Sequence, residues 1–158
     1  MKKFSRIAGT LAGAAGLVAA GTVAATPAQA APARVVAQIP ATAFSVSGLV
    51  VPGFEFVSVY AEQKAPGQVI MSAPARPEMC SASAGGALVR IDYLNVSNGR
   101  AGNATVKPCT HFIGGTPTTA TLHSGPGELV MSIRVIGSAA YPNAGQPALP
   151  GGATLTVR

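Results

Sequence analysis

Residues 87–96 read ALVRIDYLNV and are followed at 97–102 by SNGRAG. Val89, Ile91 and Tyr93 alternate with Arg90 and Asp92, the period of a strand with one dry and one wet face. Asn98-Gly99 readily takes the positive φ values of a tight turn, so 97–102 reads as a hairpin turn and 104–112 as the returning antiparallel strand. Further on, 118–123 and 128–136 form a second such pair across Ser124-Gly125-Pro126-Gly127, with Leu129, Met131, Ile133 and Val135 on one face. Residues 138–152 read as a long loop and 153–157 as a closing strand.

Upstream, 35–39 is expected as a first edge strand and 44–51 as a second, ended by the Pro52-Gly53 turn. The run 54–63 is rich in aromatic and β-branched residues, but its alternation slips phase between Phe56 and Val57. That slip predicts a bulge or a strand buried on both faces. Residues 69–72 are a short strand and 73–86 a long connection. No amphipathic helical repeat interrupts this series. The expected fold is therefore all-β, an antiparallel β-sandwich of the immunoglobulin-like kind in strand number and spacing, although the absence of Trp removes one hallmark of that fold.

Residues 1–30 read as a bacterial signal peptide. Lys2, Lys3 and Arg6 precede an apolar run from Ile7 to Ala25, and Pro27 leads to the small-residue site Ala28-Gln29-Ala30. The competing reading is a retained anchor, since the run approaches the ~20 residues that span a bilayer. Its many Gly and Ala residues make it a weak span, so cleavage before Ala31 is expected, with no membrane span afterwards. Residues 31–43 are then an N-terminal linker or edge segment, and 44–158 the sandwich domain.

Three of the 11 basic residues leave with the signal while all five acids stay, which lowers the net charge from +6 to +3. The remaining cations are scattered singly, without the patch or stripe that nucleic acid requires. Cys80 and Cys109 are the only cysteines, and in an exported chain they are expected to form one disulfide. The alternative, a redox or metal pair, lacks CxxC spacing.

The chemistry of catalysis is thinly represented. No Gly-x-Ser-x-Gly, Ser-x-x-Lys, HExxH or GxxxxGK motif occurs, and no cofactor motif is present. His111 and His123 could join Asp92 and a serine in a triad, or hold a metal with Glu128 or Met131, yet two isolated histidines are more simply surface or packing residues. The five acids (Glu55, Glu62, Glu78, Asp92, Glu128) are each isolated and are as readily explained by a solvated face as by glycoside hydrolysis. Asn95-Val96-Ser97 and Asn103-Ala104-Thr105 match an N-glycosylation pattern, but both are better read as turn sequence. Leu149-Pro150-Gly151-Gly152-Ala153 only faintly resembles a sortase signal, and the strand that follows it argues against wall anchoring.

Loops on a rigid scaffold remain as the place for function. The Pro-rich loop 138–152 offers Tyr141, Asn143 and Gln146 as ligand-binding candidates, against the plainer reading of a packed connection. The segment 74–86, with Arg76, Glu78, Met79 and Cys80, would present a disulfide-stapled loop in the manner of a protease inhibitor. The expectation is a secreted, extracellular or loosely envelope-associated binding module without catalytic residues, metal or cofactor, whose partner is an extracellular protein or cell-wall component. A protease inhibitor is the alternative, and a small hydrolase the third reading.

Overall fold

The structure is a computed structural model that describes residues 35–45, 53–81, 83–111 and 114–158. The expected signal peptide and most of the expected strand 44–51 lie outside the described residues. Eleven strands are defined among the described residues: β1 (Val35–Ile39), β2 (Ala41–Ser45), β3 (Gly53–Val57), β4 (Tyr60–Ala65), β5 (Gln68–Ser72), β6 (Leu88–Asn95), β7 (Ala101–Val106), β8 (Thr119–Leu122), β9 (Gly127–Ile136), β10 (Ala148–Leu149) and β11 (Gly151–Val157). One helical turn, α1 (Pro77–Cys80), and a 3-10 turn at Ser83–Gly86 break the connection from β5 to β6.

The fold is mostly β, as expected, and every strand pair is antiparallel. A five-stranded sheet has the order β1-β11-β9-β6-β7, and two three-stranded sheets have the orders β10-β2-β3 and β4-β5-β8. The alternation in β6 and β9 survives intact. Val89, Ile91, Leu129, Met131, Ile133 and Val135 are all buried, and they join Leu155, Val69, Met71 and Leu122 in one core cluster.

Boundaries differ from expectation where the chain changes sheet. The run 54–63 is not one bulged strand. It is split at Ser58-Val59 into β3 and β4, which belong to different sheets, and burial keeps one phase across the split, with Glu55, Val57, Val59 and Gln63 all buried, so the apparent slip at Phe56-Val57 comes from phenylalanines that face outward. The chain also changes sheet at Pro40, between β1 and β2, and at Pro150, between β10 and β11. Proline cannot donate to a ladder, so it suits the point where a strand leaves one sheet for another. Two of these crossings touch: a Cβ on Gly151 would fall on the backbone of Ala41 and Ile39. The long loop is correspondingly shorter than 138–152, because β10 and β11 begin within it.

Hydrogen bonds gather at one end of β6. Asn95 is fully buried, and its Nδ2 donates to the carbonyls of Ser124, Gly125 and Pro126 at 3.0, 3.2 and 3.0 Å. Its Oδ1 accepts from the backbone N–H of Ser97 at 2.9 Å and of Asn98 at 3.3 Å. The turn reading of Asn95-Val96-Ser97 is thereby explained: this amide organises two turns. Gly99 takes φ +75° within the β6–β7 turn. The C-terminus is tied to the same end, since Gly67 N–H donates to the Arg158 carbonyl and its carbonyl accepts from Gly125 N–H.

Candidate functional site

The other end of β6, at Leu88, lies beside the disulfide and the shortened loop. Cys80 and Cys109 are bonded, with their Cα atoms 5.5 Å apart, so α1 is stapled to the segment after β7. His111 Nε2 lies 2.6 Å from the Cys80 carbonyl oxygen.

The loop that follows β9 is closely held. A Cβ on Gly137 would overlap the Pro142 carbonyl, so the chain doubles back where only glycine fits. Ser138 and Tyr141 exchange backbone hydrogen bonds at 3.1 and 3.2 Å, and Ser138 Oγ accepts from the Tyr141 N–H at 3.1 Å. Gly145 takes φ +68° against Val135 and Ala43, and the Gln146-Pro147 bond is cis. Gln146 Nε2 donates to the Val135 carbonyl at 3.1 Å, and Phe44 N–H donates to the Pro147 carbonyl at 2.9 Å. The loop is thus anchored to a strand in each of two sheets.

Between this loop, the 3-10 turn and residues 114–116 lies a cleft of about 390 Å³. Gly85 and Gly86 form one wall, Gly114, Gly115 and Thr116 another, and Ser138, Ala139 and Ala140 a third, over Leu88 and Lys107. Small side chains leave main-chain groups within reach of a ligand. Lys107 brings the positive charge, and its Nζ lies 3.5 Å from the Gly114 carbonyl.

None of the three expected ligand residues lines this cleft, and Tyr141 comes nearest, against Gly86 of its wall. Its ring packs over Gly86, leaving no room there for a Cβ, and it is half exposed. Asn143 is exposed on the loop outside the cleft lining, and Gln146 serves as an internal anchor. Lys107 and the two Gly-Gly pairs did not figure in the sequence-based site. The doublets at 85–86 and 114–115 were a usable signal, because paired glycines mark close backbone approach.

The groups weighed for catalysis have other surroundings. Asp92 Oδ2 accepts from Arg134 at 2.8 Å and Oδ1 from Arg90 at 2.9 Å, on the outer face of the five-stranded sheet. The Arg134 hydrogen bond, with help from Arg90, holds its carboxyl below the usual range. His123 is exposed just past β8. Among the described residues, no three His, Cys, Asp or Glu side chains gather as a metal site would require. Glu55 is 4% exposed, its Oε2 has no hydrogen-bond partner among the described residues, and burial pushes its carboxyl up to about 7. It lies on β3 opposite Ala43, outside the cleft lining.

No family model, curated protein or solved structure matches the chain. Among the described residues, no helix is long and apolar enough to cross a membrane.

Proposed function

We propose that this chain is a secreted, non-enzymatic binding module of the bacterial cell exterior, which takes an extended segment of an extracellular protein or wall component in the cleft beside Tyr141. The observation that carries this reading is the anchored loop. Ser138, Gln146 and Pro147 hold it in place before any ligand arrives, so little ordering cost attaches to association. Tyr141 adds contact area with few rotatable bonds. Glycine walls offer main-chain donors and acceptors, and Lys107 favours a ligand with a carboxylate or other anionic group. The disulfide accords with an oxidising compartment outside the cytoplasm.

The test is capture from the producing organism's own culture supernatant and solubilised cell wall on the immobilised protein. Tyr141→Ala and Lys107→Ala should each reduce capture while the thermal midpoint moves little. Capture that survives both substitutions refutes the site.

A second reading rests on one observation. Arg76 is exposed and extended (φ −66°, ψ 150°) immediately before α1, four residues from the disulfide-bonded Cys80. A stapled, extended arginine is the form in which inhibitors offer bait to trypsin-like proteases. Titration of such a protease with the protein, and with Arg76→Ala, separates this reading from the first.

A further inference from the structure

The strongest feature outside the cleft is the outer face of the β10-β2-β3 sheet. In an antiparallel ladder, directly opposed residues share a face. Leu149 opposes Thr42, which opposes Phe56, and in the next outward row Phe44 opposes Phe54. The inward row between them is Ala148, Ala43 and Glu55, so the only charge on β3 points into the protein and both of its phenylalanines point out. Phe54 is 64% exposed, Phe56 60% and Leu149 70%, while Phe44 meets Phe54 edge to face at 5.3 Å. Ile39, 72% exposed, stands at the bend leading into β2.

We propose that this face is an interface between two copies of this chain, packed face to face about a two-fold axis. The area argues for it. With ~200 Å² for a fully exposed large apolar side chain, Phe54, Phe56, Leu149 and Ile39 leave roughly 500 Å² uncovered per copy. That is near the upper end of what a monomer carries, and two copies together would cover about 1,000 Å², the size at which stable association begins. The charge pattern selects the occupant. No charged side chain lies in the outward rows, so a charged partner finds nothing to pair with and an anionic lipid surface finds no Lys or Arg among them. Thr42 is the sole hydroxyl in those rows, too little for a glycan that must be hydrogen-bonded as well as stacked. An uncharged apolar face is complementary to itself, which is what a two-fold contact needs. β3 is also an edge strand among the described residues, with two exposed phenylalanines and no outward charge to protect it, as an unpartnered edge ordinarily has.

The experiment is sedimentation of the whole chain as processed by its host, disulfide intact, across a dilution series, beside the double variant Phe54→Ser/Phe56→Ser. A concentration-dependent dimer is expected, and the double variant should dissociate at least ~30-fold more readily, the effect of losing a hot spot of the usual size. Circular dichroism establishes that the variant is folded. If it is not, Leu149→Ser, which alters the same face from a different strand, must show the weakened dimer in its place. A monomer at every concentration overturns the proposal, as does a dimer indifferent to these substitutions. Co-sedimentation of a monomer with neutral vesicles, abolished by the double variant, also overturns it and assigns the face to lipid.

Discussion

Replacing Glu55 with glutamine should remove a pH dependence from folding stability. Glu55 is buried on β3, one of its oxygens has no partner among the described residues, and burial pushes its carboxyl up to about 7, against an ordinary value of 4.5. A folded-state value raised in this way means that the native state binds its proton more tightly than the unfolded chain does. Below pH ~4.5 both states are protonated and the carboxyl exacts no penalty. As pH rises through 7 the native state must either keep a proton that the unfolded chain has released or bury a charge, and stability falls. The difference between the two values corresponds to about 3 kcal/mol, fully expressed above pH ~8. A glutamine at this position has nearly the same shape and carries no charge. Urea denaturation of parent and Glu55→Gln at intervals from pH 4.5 to 8.5 checks this. The two should be close in stability at the acid end and separate progressively, with the variant more stable by about 2 to 3 kcal/mol at the alkaline end. Other groups titrate in this range, but they cancel in the difference between the two proteins. Parallel profiles would refute the reasoning, since they would mean that the Glu55 carboxyl is solvated or paired in the native state.

Asn95→Ala strips five hydrogen bonds from two adjoining turns and should destabilise by about 2 to 4 kcal/mol, read from chemical denaturation. Gly151→Ala places a methyl on the backbone of Ala41 and Ile39, so a loss of at least ~1 to 3 kcal/mol is expected although the residue is neither deeply buried nor at positive φ. Cys109→Ser opens the only disulfide, whose cysteines are 29 residues apart, and should cost about 2 to 5 kcal/mol; thiol titration of the unreduced parent should find no free thiol. Asp92→Asn breaks two ion pairs on an exposed sheet face and should change stability by less than ~1 kcal/mol at neutral pH, because water and salt screen such pairs.

The strands that could be read from the sequence were those whose alternation is decided by their own side chains. In β6 and β9 the charged residues Arg90, Asp92, Glu128 and Arg134 occupy one face, and the core face follows directly from them. β3 runs against that logic. Phe54 and Phe56 alternate with Glu55, which by its own pattern puts the phenylalanines inside, yet the strand lies the other way up. Its phase is fixed by Val57, which is buried with the core, and by pairing to β2, whose small residues Ala41 and Ala43 face inward. Neither influence is local to the strand. The cleft was partly legible for a similar reason. Tyr141 stands out as an aromatic in a Pro-rich loop, whereas Lys107 and the glycine pairs are brought to it from three other segments by the disulfide and the sheet register. Gln146 looked like a ligand amide because a sequence cannot reveal that its amide group faces a main-chain carbonyl of its own protein.

The crossing at Pro40 and Gly151 also determines how the molecule answers to force. β1 and β11 are antiparallel neighbours, with Val35 opposite Leu155 and Ile39 opposite Gly152. A pull applied at residue 35 and at Arg158 therefore acts on one end of their shared ladder and opens it one hydrogen bond at a time, as a zipper opens, whereas a ladder loaded from opposite ends must break all its bonds together. Peeling can run only as far as residue 39. Beyond it the chain passes Gly151 into β2, between β10 and β3, and further extension must pull a central strand out of a second sheet. β1 is thus a soft, short-travel element in series with a stiff one.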